Sequence, residues 1–244
     1  MPPPRSAGKP GAGSAGAGEK PPGTPGPGIT AEHRELLGEG LRALGVPAGR
    51  EVVDSLLLFL RELLLWNART NLVGSADPGE IITRHILDSL TAYPLVKGEK
   101  RPILDVGAGA GFPSLPLSVA LRELRVYAVE RRRKRAAFLR NVSVMLGLER
   151  YTVVERDVRH VSGRYGVILS RAVAGLYRLQ EDTGRLREDG AVIIAYKGKL
   201  SEIDREMEQL RRILPPEAGY RFRVEPVRPP SRNEERNIVI IETP

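Results

Sequence analysis

Cysteine is absent from this chain of 244 residues, and its absence excludes several kinds of chemistry. Disulfide bonds, thiolate zinc sites, iron–sulfur clusters and cysteine nucleophiles all require a cysteine side chain. Long apolar runs are missing as well. The longest, Leu56 to Leu65, is interrupted by Arg61 and Glu62 and is shorter than the roughly 20 residues of a membrane span. We therefore expect a soluble, cytoplasmic protein with no metal site and no membrane contact.

The first 28 residues contain 8 proline and 8 glycine residues, and no large apolar residue follows Met1. A segment of this composition cannot bury enough surface to order itself. It lacks the apolar centre of a signal peptide and the Arg- and Ser-rich amphipathic pattern of a transit peptide. We predict a disordered Pro/Gly-rich tail over residues 1–28.

Positive charge exceeds negative charge, with 38 Lys and Arg residues against 30 Asp and Glu, a net charge of +8. This balance favours an anionic partner such as nucleic acid, although many basic proteins bind none. Hydrophobic residues make up 41% of the chain, which is enough for the core of one sizeable domain.

Helical periodicity dominates residues 29–98. Segment 51–67, EVVDSLLLFLRELLLWN, places apolar residues at i, i+3 and i+4, which predicts a helix with a wide buried stripe. A second helix is predicted to begin at Pro78, with Asp77 as its N-cap. We interpret residues 29–98 as a helical extension that packs on a catalytic domain.

After Pro102 the pattern changes to short β-branched runs that alternate with helical stretches. The alternation predicts an α/β fold with a mostly parallel sheet and helices on both faces, which we assign to residues 99–244. RFRVEPV and RNIVIIE have no helix between them and predict an antiparallel last strand. The other strand runs are ILDVG, RVYAVE, YTVVE, GVILS and AVIIAYK, and the helices are predicted to begin near Pro113, Arg132, Leu176 and Leu200.

A glycine loop joins the first predicted strand to the first helix of the sheet, in ILDVGAGAGFPS (103–114). Gly107, Gly109 and Gly111 let the backbone turn sharply and approach a ligand at the carboxyl edge of the sheet. Glu130 ends the second strand 19 residues after Gly111, near the offset at which an acid accepts hydrogen bonds from a ribose. Together these features indicate a site for an adenosine-containing cofactor.

Two features favour S-adenosylmethionine over a dinucleotide. A dinucleotide site has the spacing G-x-G-x-x-G, whereas here the spacing is G-x-G-x-G and Phe112 follows Gly111. Pro113, next in the chain, has no N–H to offer a phosphate. Asp105, just before the glycines, suits the cationic sulfonium and amino groups of S-adenosylmethionine. The alternatives are a P-loop, which the missing G-K-[ST] excludes, and a glycine-rich turn that holds no ligand.

Six segments of the chain, between about Trp66 and Gly198, resemble the bacterial RsmG family, also called glucose-inhibited division protein B. They are WNARTNLVG (66–74), RHILDSL (84–90), ILDVGAGAGFPS (103–114), AVERRRKRAAFLRN (128–141), SRAVAGL (170–176) and YKG (196–198). The resemblance implies a class I S-adenosylmethionine-dependent methyltransferase, Rossmann-like in fold. It implies methylation of N7 of one guanine in the decoding region of 16S ribosomal RNA. The alternatives are the same fold acting on another RNA or a small molecule, or a ribosome-binding protein without turnover.

The resemblance also implies roles for single residues. Gly107 and Phe112 would line the cofactor pocket, Glu130 would bind the ribose hydroxyls, and Asp157 and Val158 would contact the adenine. The chain departs from the family where RDV (156–158) replaces the common R-x-E pattern and where Ser114 replaces the usual glycine after GFP.

Arg171, in SRA, falls at a cofactor-contacting or active-site position of the family and is the candidate catalytic residue. It would pair with guanine O6, a phosphate or the cofactor carboxylate. Phe112 would stack on a base or pack against a helix, and His85 and Asp88 are expected to make structural hydrogen bonds. No general base is expected, because guanine N7 carries an unprotonated lone pair that attacks the methyl group directly.

Candidate RNA contacts lie in the run RRRKR, at Arg131, Arg132, Arg133 and Lys134, and at Lys197. Cations at a helix N-terminus interact unfavourably with the helix dipole, so their presence here indicates a role in function. The alternative is a solvated charged face. The expected partner is 16S ribosomal RNA or the small ribosomal subunit, and the protein is expected to be a monomer.

Overall fold

The structure, a computed structural model, describes residues 28–171, 175–214, 216–230 and 234–244. The predicted tail therefore lies, apart from Gly28, outside the described residues. The described α-helices are α1 (Ala31–Ala43), α2 (Arg50–Thr70), α3 (Pro78–Ile81), α4 (Asp88–Leu90), α5 (Tyr93–Val96), α6 (Ser114–Ala120), α7 (Arg133–Met145), α8 (Leu176–Thr183) and α9 (Leu200–Ile213). None of these described helices is long and apolar enough to cross a lipid bilayer.

In the part of the chain that the structure describes, seven strands form one sheet in the order β3-β2-β1-β4-β5-β7-β6. They are β1 (Ile103–Val106), β2 (Val126–Val129), β3 (Tyr151–Val154), β4 (Tyr165–Arg171), β5 (Arg187–Lys197), β6 (Arg221–Val227) and β7 (Arg236–Glu242). Strands β1 to β5 pair in parallel, whereas β7 lies antiparallel between β5 and β6. The predicted mostly parallel sheet with an antiparallel last strand is confirmed.

Alternate residues of each strand point to opposite faces, so the sheet separates two hydrophobic cores. Ile103 and Val167 belong to the core that α2, α6 and α7 cover. Leu104 and Ile168, their neighbours in sequence, belong to the core that α8 and α9 cover. This arrangement confirms the predicted helices on both faces.

The apolar stripe of α2 packs against α6 and α7, two helices that cover one face of the sheet. Phe59 is fully buried, and its ring centroid lies 5.3 Å from that of Phe112 and 6.3 Å from that of Phe138. Trp66, at the carboxyl half of the same helix, makes an edge contact with Phe138 at 5.6 Å. The helical extension and the sheet therefore share one core, and the division at residue 98 stays a prediction.

The helix predicted from Pro78 has a more complex form than one α-helix. Asp77 caps it as predicted, because its Oδ1 accepts a hydrogen bond from Glu80 N at 2.6 Å. Its middle, Ile82–Leu87, is a π-helix that separates α3 from α4. A π-helical turn inserts an extra residue, a change that apolar spacing alone does not reveal. Such turns are frequent at functional sites, and this one faces the end of β4.

Candidate active site

A cavity of about 630 Å³ lies at the carboxyl edge of the parallel strands. Its walls come from the glycine loop after β1, the end of β2, the segment after β3 and the end of β4. Open α/β sheets bind ligands at this edge, and the volume falls in the usual range for small-molecule sites. The topology thus brings together residues that lie far apart in the sequence.

The glycine loop has the backbone conformation that its sequence predicts. Gly107, Gly109 and Gly111 have φ angles of 70°, 59° and 92°, which other residues rarely adopt. Gly107 and Gly109 line the cavity. Gly111 faces α6 instead, since a Cβ atom built there would lie 2.2 Å from Cδ1 of Leu115. Two glycines therefore form the floor, and the third allows the loop to pack on the helix.

Glu130 lies at the end of β2 with 5% of its surface exposed, and its carboxylate borders the cavity. Oε2 accepts a hydrogen bond from Gly109 N at 3.1 Å, and Oε1 accepts one from Arg132 N at 2.7 Å. Each carboxylate oxygen can accept a further hydrogen bond. The carboxylate is thus fixed against the glycine loop and keeps acceptor capacity for a ligand.

Asp157 and Val158 form a third wall, directly after β3. Asp157 caps a 3₁₀-helix, Val158–His160, by accepting a hydrogen bond from Arg159 N at 3.1 Å. The guanidinium of Arg159 donates to the same carboxylate at 2.9 and 3.1 Å. These hydrogen bonds hold the pKa of Asp157 well below its usual value. The structure therefore brings both residues to the cavity.

Phe112, His85 and Arg171 meet on a further wall of the cavity. The His85 ring stacks on Phe112 with centroids 5.0 Å apart, and the Arg171 guanidinium carbon lies 5.5 Å from the same ring centre. Phe112 also packs against Phe59, as described above. One aromatic ring thus joins the helical extension to the cavity, so packing and ligand contact do not exclude each other.

Arg171 is held mainly by the helical extension. Its Nη2 donates to Arg84 O at 2.7 Å and lies 3.1 Å from Asp88 Oδ2, and the side chain is 9% exposed. Arg236, at the start of β7, places its Nε 3.2 Å from Asp88 Oδ1, an ion pair without hydrogen-bond alignment. Asp88 thus pairs with arginines from two strands, in agreement with a structural role for this acid.

Asp105 lies beneath the glycine loop and does not line the cavity. It is fully buried, and neither carboxylate oxygen has a hydrogen bond of normal geometry. Burial raises its pKa to about 7, and the nearby Ser114 and Arg171 oppose this shift only in part. The structure does not bring this carboxylate to the position expected for a contact with the cofactor amine.

The basic run begins α7, with no acidic residue in the first turn of the helix. Arg131, Arg132, Arg133 and Lys134 are exposed, and the first two of them line the cavity. Lys197 does not line it, and its ammonium pairs with Glu206 at 2.7 Å. Its contact with RNA stays a prediction.

Among the described residues, four more arginines line the cavity, namely Arg135, Arg156, Arg159 and Arg178, and the last three were missed from the sequence. Arg135 ends the predicted basic run RRRKR and lies three residues after Arg132 on the same face of a helix. Its Nη1 lies 3.7 Å from the Cβ position of Gly109. The other three follow β3 or lie on α8, and only the tertiary structure brings them to this edge.

The sequence profile of a family described as rRNA small subunit methyltransferase G, GidB, matches residues 53–216. The chain belongs to this family. A family member from Treponema pallidum is 37% identical over 227 residues, which cover 88% of this chain and 97% of the relative. One from Borrelia turicatae is 36% identical over 172 residues, which cover 70% of this chain and 83% of the relative. The predicted family and enzyme class, a methyltransferase of small-subunit ribosomal RNA, are confirmed.

A solved structure of similar fold is the SAM-dependent O-methyltransferase from Thermotoga maritima. Its TM-score is 0.51 at 16% identity, with 74% of this chain and 71% of the other covered. At this identity the likeness shows the fold alone. The fold of an S-adenosylmethionine-dependent methyltransferase is therefore confirmed, and family membership agrees with S-adenosylmethionine as the cofactor.

Proposed function

We propose that this methyltransferase transfers a methyl group from S-adenosylmethionine to N7 of one guanine in the decoding region of 16S ribosomal RNA. The observation that carries the proposal is the cavity where the glycine loop, the Glu130 carboxylate and a set of arginines meet. The proposal places the protein in the bacterial cytoplasm, where it acts as a monomer on its RNA.

The residues present fit S-adenosylmethionine. Gly107 and Gly109 expose backbone at the cavity with no side chain in the way. We assign the ribose hydroxyls to Glu130, because its carboxylate is fixed on the cavity wall and keeps acceptor capacity. We assign the adenine to the wall made by Asp157 and Val158, which combines acceptor atoms with an apolar surface.

When bound, the cofactor supplies a methyl group on a cationic sulfonium. The protein must hold the guanine in line with that group, and it does not have to remove a proton from N7. His85 lines the cavity, and its ring is stacked on Phe112 with Nδ1 3.0 Å from Arg171 Nη2, so its role is to shape the wall and not to accept a proton. We therefore assign no general base.

We assign RNA-backbone contacts to the exposed cations at the start of α7. Exposed Arg and Lys side chains bind phosphates without reading sequence, which suits a substrate that must be positioned before one base enters the cavity. Arg171 differs, since its guanidinium already contacts Arg84 O and Asp88. A direct contact of Arg171 with cofactor or guanine stays a prediction, and we favour a positioning role.

The test uses methyl-labelled S-adenosylmethionine with two substrates that lack the modification, small ribosomal subunits and protein-free 16S RNA. Label is expected at a single guanine, mapped as N7-methylguanine, on at least one of them. The better substrate tells whether methylation precedes or follows subunit assembly. Absence of label on both substrates, with protein that binds the cofactor, would falsify the proposed acceptor. Label on another RNA would instead indicate a methyltransferase of the same fold with a different RNA substrate.

A further inference from the structure

One arginine outside the cavity holds the segment to which we assigned the adenine. Arg185 belongs to a 3₁₀-helix, Gly184–Leu186, between α8 and β5. Its Nη1 donates to Val161 O at 2.6 Å, and its Nη2 donates to Arg159 O at 2.6 Å and Val158 O at 3.1 Å. A single guanidinium therefore binds three of the four carbonyl groups of residues 158–161, those of Val158, Arg159 and Val161.

Carbonyl groups at the end of a helical turn have no N–H donor within the turn, and they carry partial negative charge. In this turn, Val158 O accepts a backbone hydrogen bond from Val161 N at 3.1 Å. Among the described residues, Arg185 is the donor to both Arg159 O and Val161 O. The cation thus adds hydrogen bonds that the backbone of the turn does not supply.

Apolar packing fixes both ends of this contact. Leu186, next to Arg185, is 1% exposed and lies in the same core as Leu176, Leu179 and Val161. The guanidinium thus starts from a rigid position and reaches a segment at least 24 residues earlier in the chain. A change at Arg185 would alter the turn and leave the two anchoring surfaces in place.

We propose that Arg185 is a positioning residue for the adenine end of the cofactor site. This inference rests on the proposed function, because it takes Asp157 and Val158 as the adenine wall. Without the three hydrogen bonds, the turn would have to be ordered by the ligand, and binding would bear that entropy cost. Lysine would restore the charge but not the fork that reaches three carbonyls.

Calorimetry with S-adenosylhomocysteine compares the wild type with Arg185→Gln and Arg185→Lys. We expect about tenfold weaker binding in Arg185→Gln, the loss that corresponds to roughly one charge-assisted hydrogen bond, and a partial recovery in Arg185→Lys. Adenosine as competitor should show the same loss. Turnover should show a raised KM for the cofactor with kcat at saturating cofactor and KM for RNA unchanged.

The matched control is Arg164→Gln, in the same connection between β3 and β4, whose guanidinium pairs with the exposed Asp189 at 3.4 Å. It should bind S-adenosylhomocysteine like the wild type. Equal affinities of Arg185→Gln and the wild type, or a loss for S-adenosylhomocysteine but not adenosine, would overturn this inference alone. Failure of the wild type to bind would instead overturn the proposed function. If Arg185→Gln does not fold, Arg185→Lys carries the same comparison.

Discussion

Two groups of arginines stand at the carboxyl edge of the sheet in different surroundings. Arg171 and Arg236 flank the carboxylate of Asp88, with 9% and 28% of their side chains exposed against 3% for the acid. Arg132 and Arg133 are exposed, and no acidic residue lies in the first turn of their helix. Arginine therefore joins two parts of the fold at the first position and faces solvent at the second.

The difference follows from the cost of removing a charge from water. A buried ion is expensive by several kcal/mol, and only a well-placed opposite charge and hydrogen bonds offset this cost. An exposed cation keeps its hydration and stays available to a polyanion. Burial thus separates the pair Arg171 and Arg236 from the pair Arg132 and Arg133, a distinction that the basic composition alone does not contain.

The largest expected effect on stability is at Asp88. Asp88→Leu leaves two guanidinium groups at a buried site without their shared carboxylate, so we expect a loss of about 3–5 kcal/mol in the free energy of unfolding. Urea-induced unfolding at neutral pH measures it. The control is Glu80→Gln, which removes the exposed pair with Arg84 and should change stability little. A loss at Asp88 no larger than that control would contradict the structural role.

Asp105 sharpens the comparison, because it is a buried acid whose oxygens accept no hydrogen bond of normal geometry and have no ion-pair partner within 4 Å among the described residues. Its folded-state pKa of about 7 lies above its ordinary value of 3.8, so the folded state favours the protonated acid. That contribution to stability is complete below about pH 4 and is lost as the pH rises to about 7. The Asp105→Asn variant has no titrating group at this position, so its stability should not show this decrease with pH.

We therefore expect Asp105→Asn and the wild type to differ least at pH 4 and most at pH 8, where the variant gains at most about 4 kcal/mol relative to the wild type. Unfolding by urea at a series of pH values gives the difference directly. A difference that is constant with pH would show that the Asp105 carboxylate is ionised in the folded protein.

The smallest effect on stability is expected from Arg132→Glu with Arg133→Glu. Acidic residues favour a helix N-terminus, so the folded state should be unchanged or slightly more stable. RNA binding should weaken, and the slope of log affinity against log salt should fall by about 1 to 2, as two phosphate contacts are lost.

Filter binding at several salt concentrations measures both RNA quantities. Arg211→Glu with Arg212→Glu, in the last turn of α9, makes the same change in charge at another helix and controls for net charge. Equal RNA affinity of the Arg132 and Arg133 variant and the wild type would show that these two exposed arginines do not contact the RNA.

Local patterns in the sequence determined the strands, the order of the helices and the cofactor loop. Glycine spacing and the offset to Glu130 are properties of one strand–loop–helix unit and the strand that follows. Gly107, Gly109 and Glu130 line the cavity. Asp77 as N-cap and the antiparallel pairing of β6 with β7 likewise depend on neighbours close in sequence. The family could be identified for a similar reason, since its segments keep their order and spacing along the chain.

Only the tertiary structure decided the surroundings of the charged residues. Arg171 contacts Arg84, which is 87 residues away, and Asp88 meets Arg236 from the far end of the chain. The burial of Asp105 and the reach of Arg185 to the turn after β3 also depend on packing between distant segments. Short-range periodicity encodes which element forms, whereas the environment of an ionisable group depends on which elements meet around it, and that follows from the packed fold.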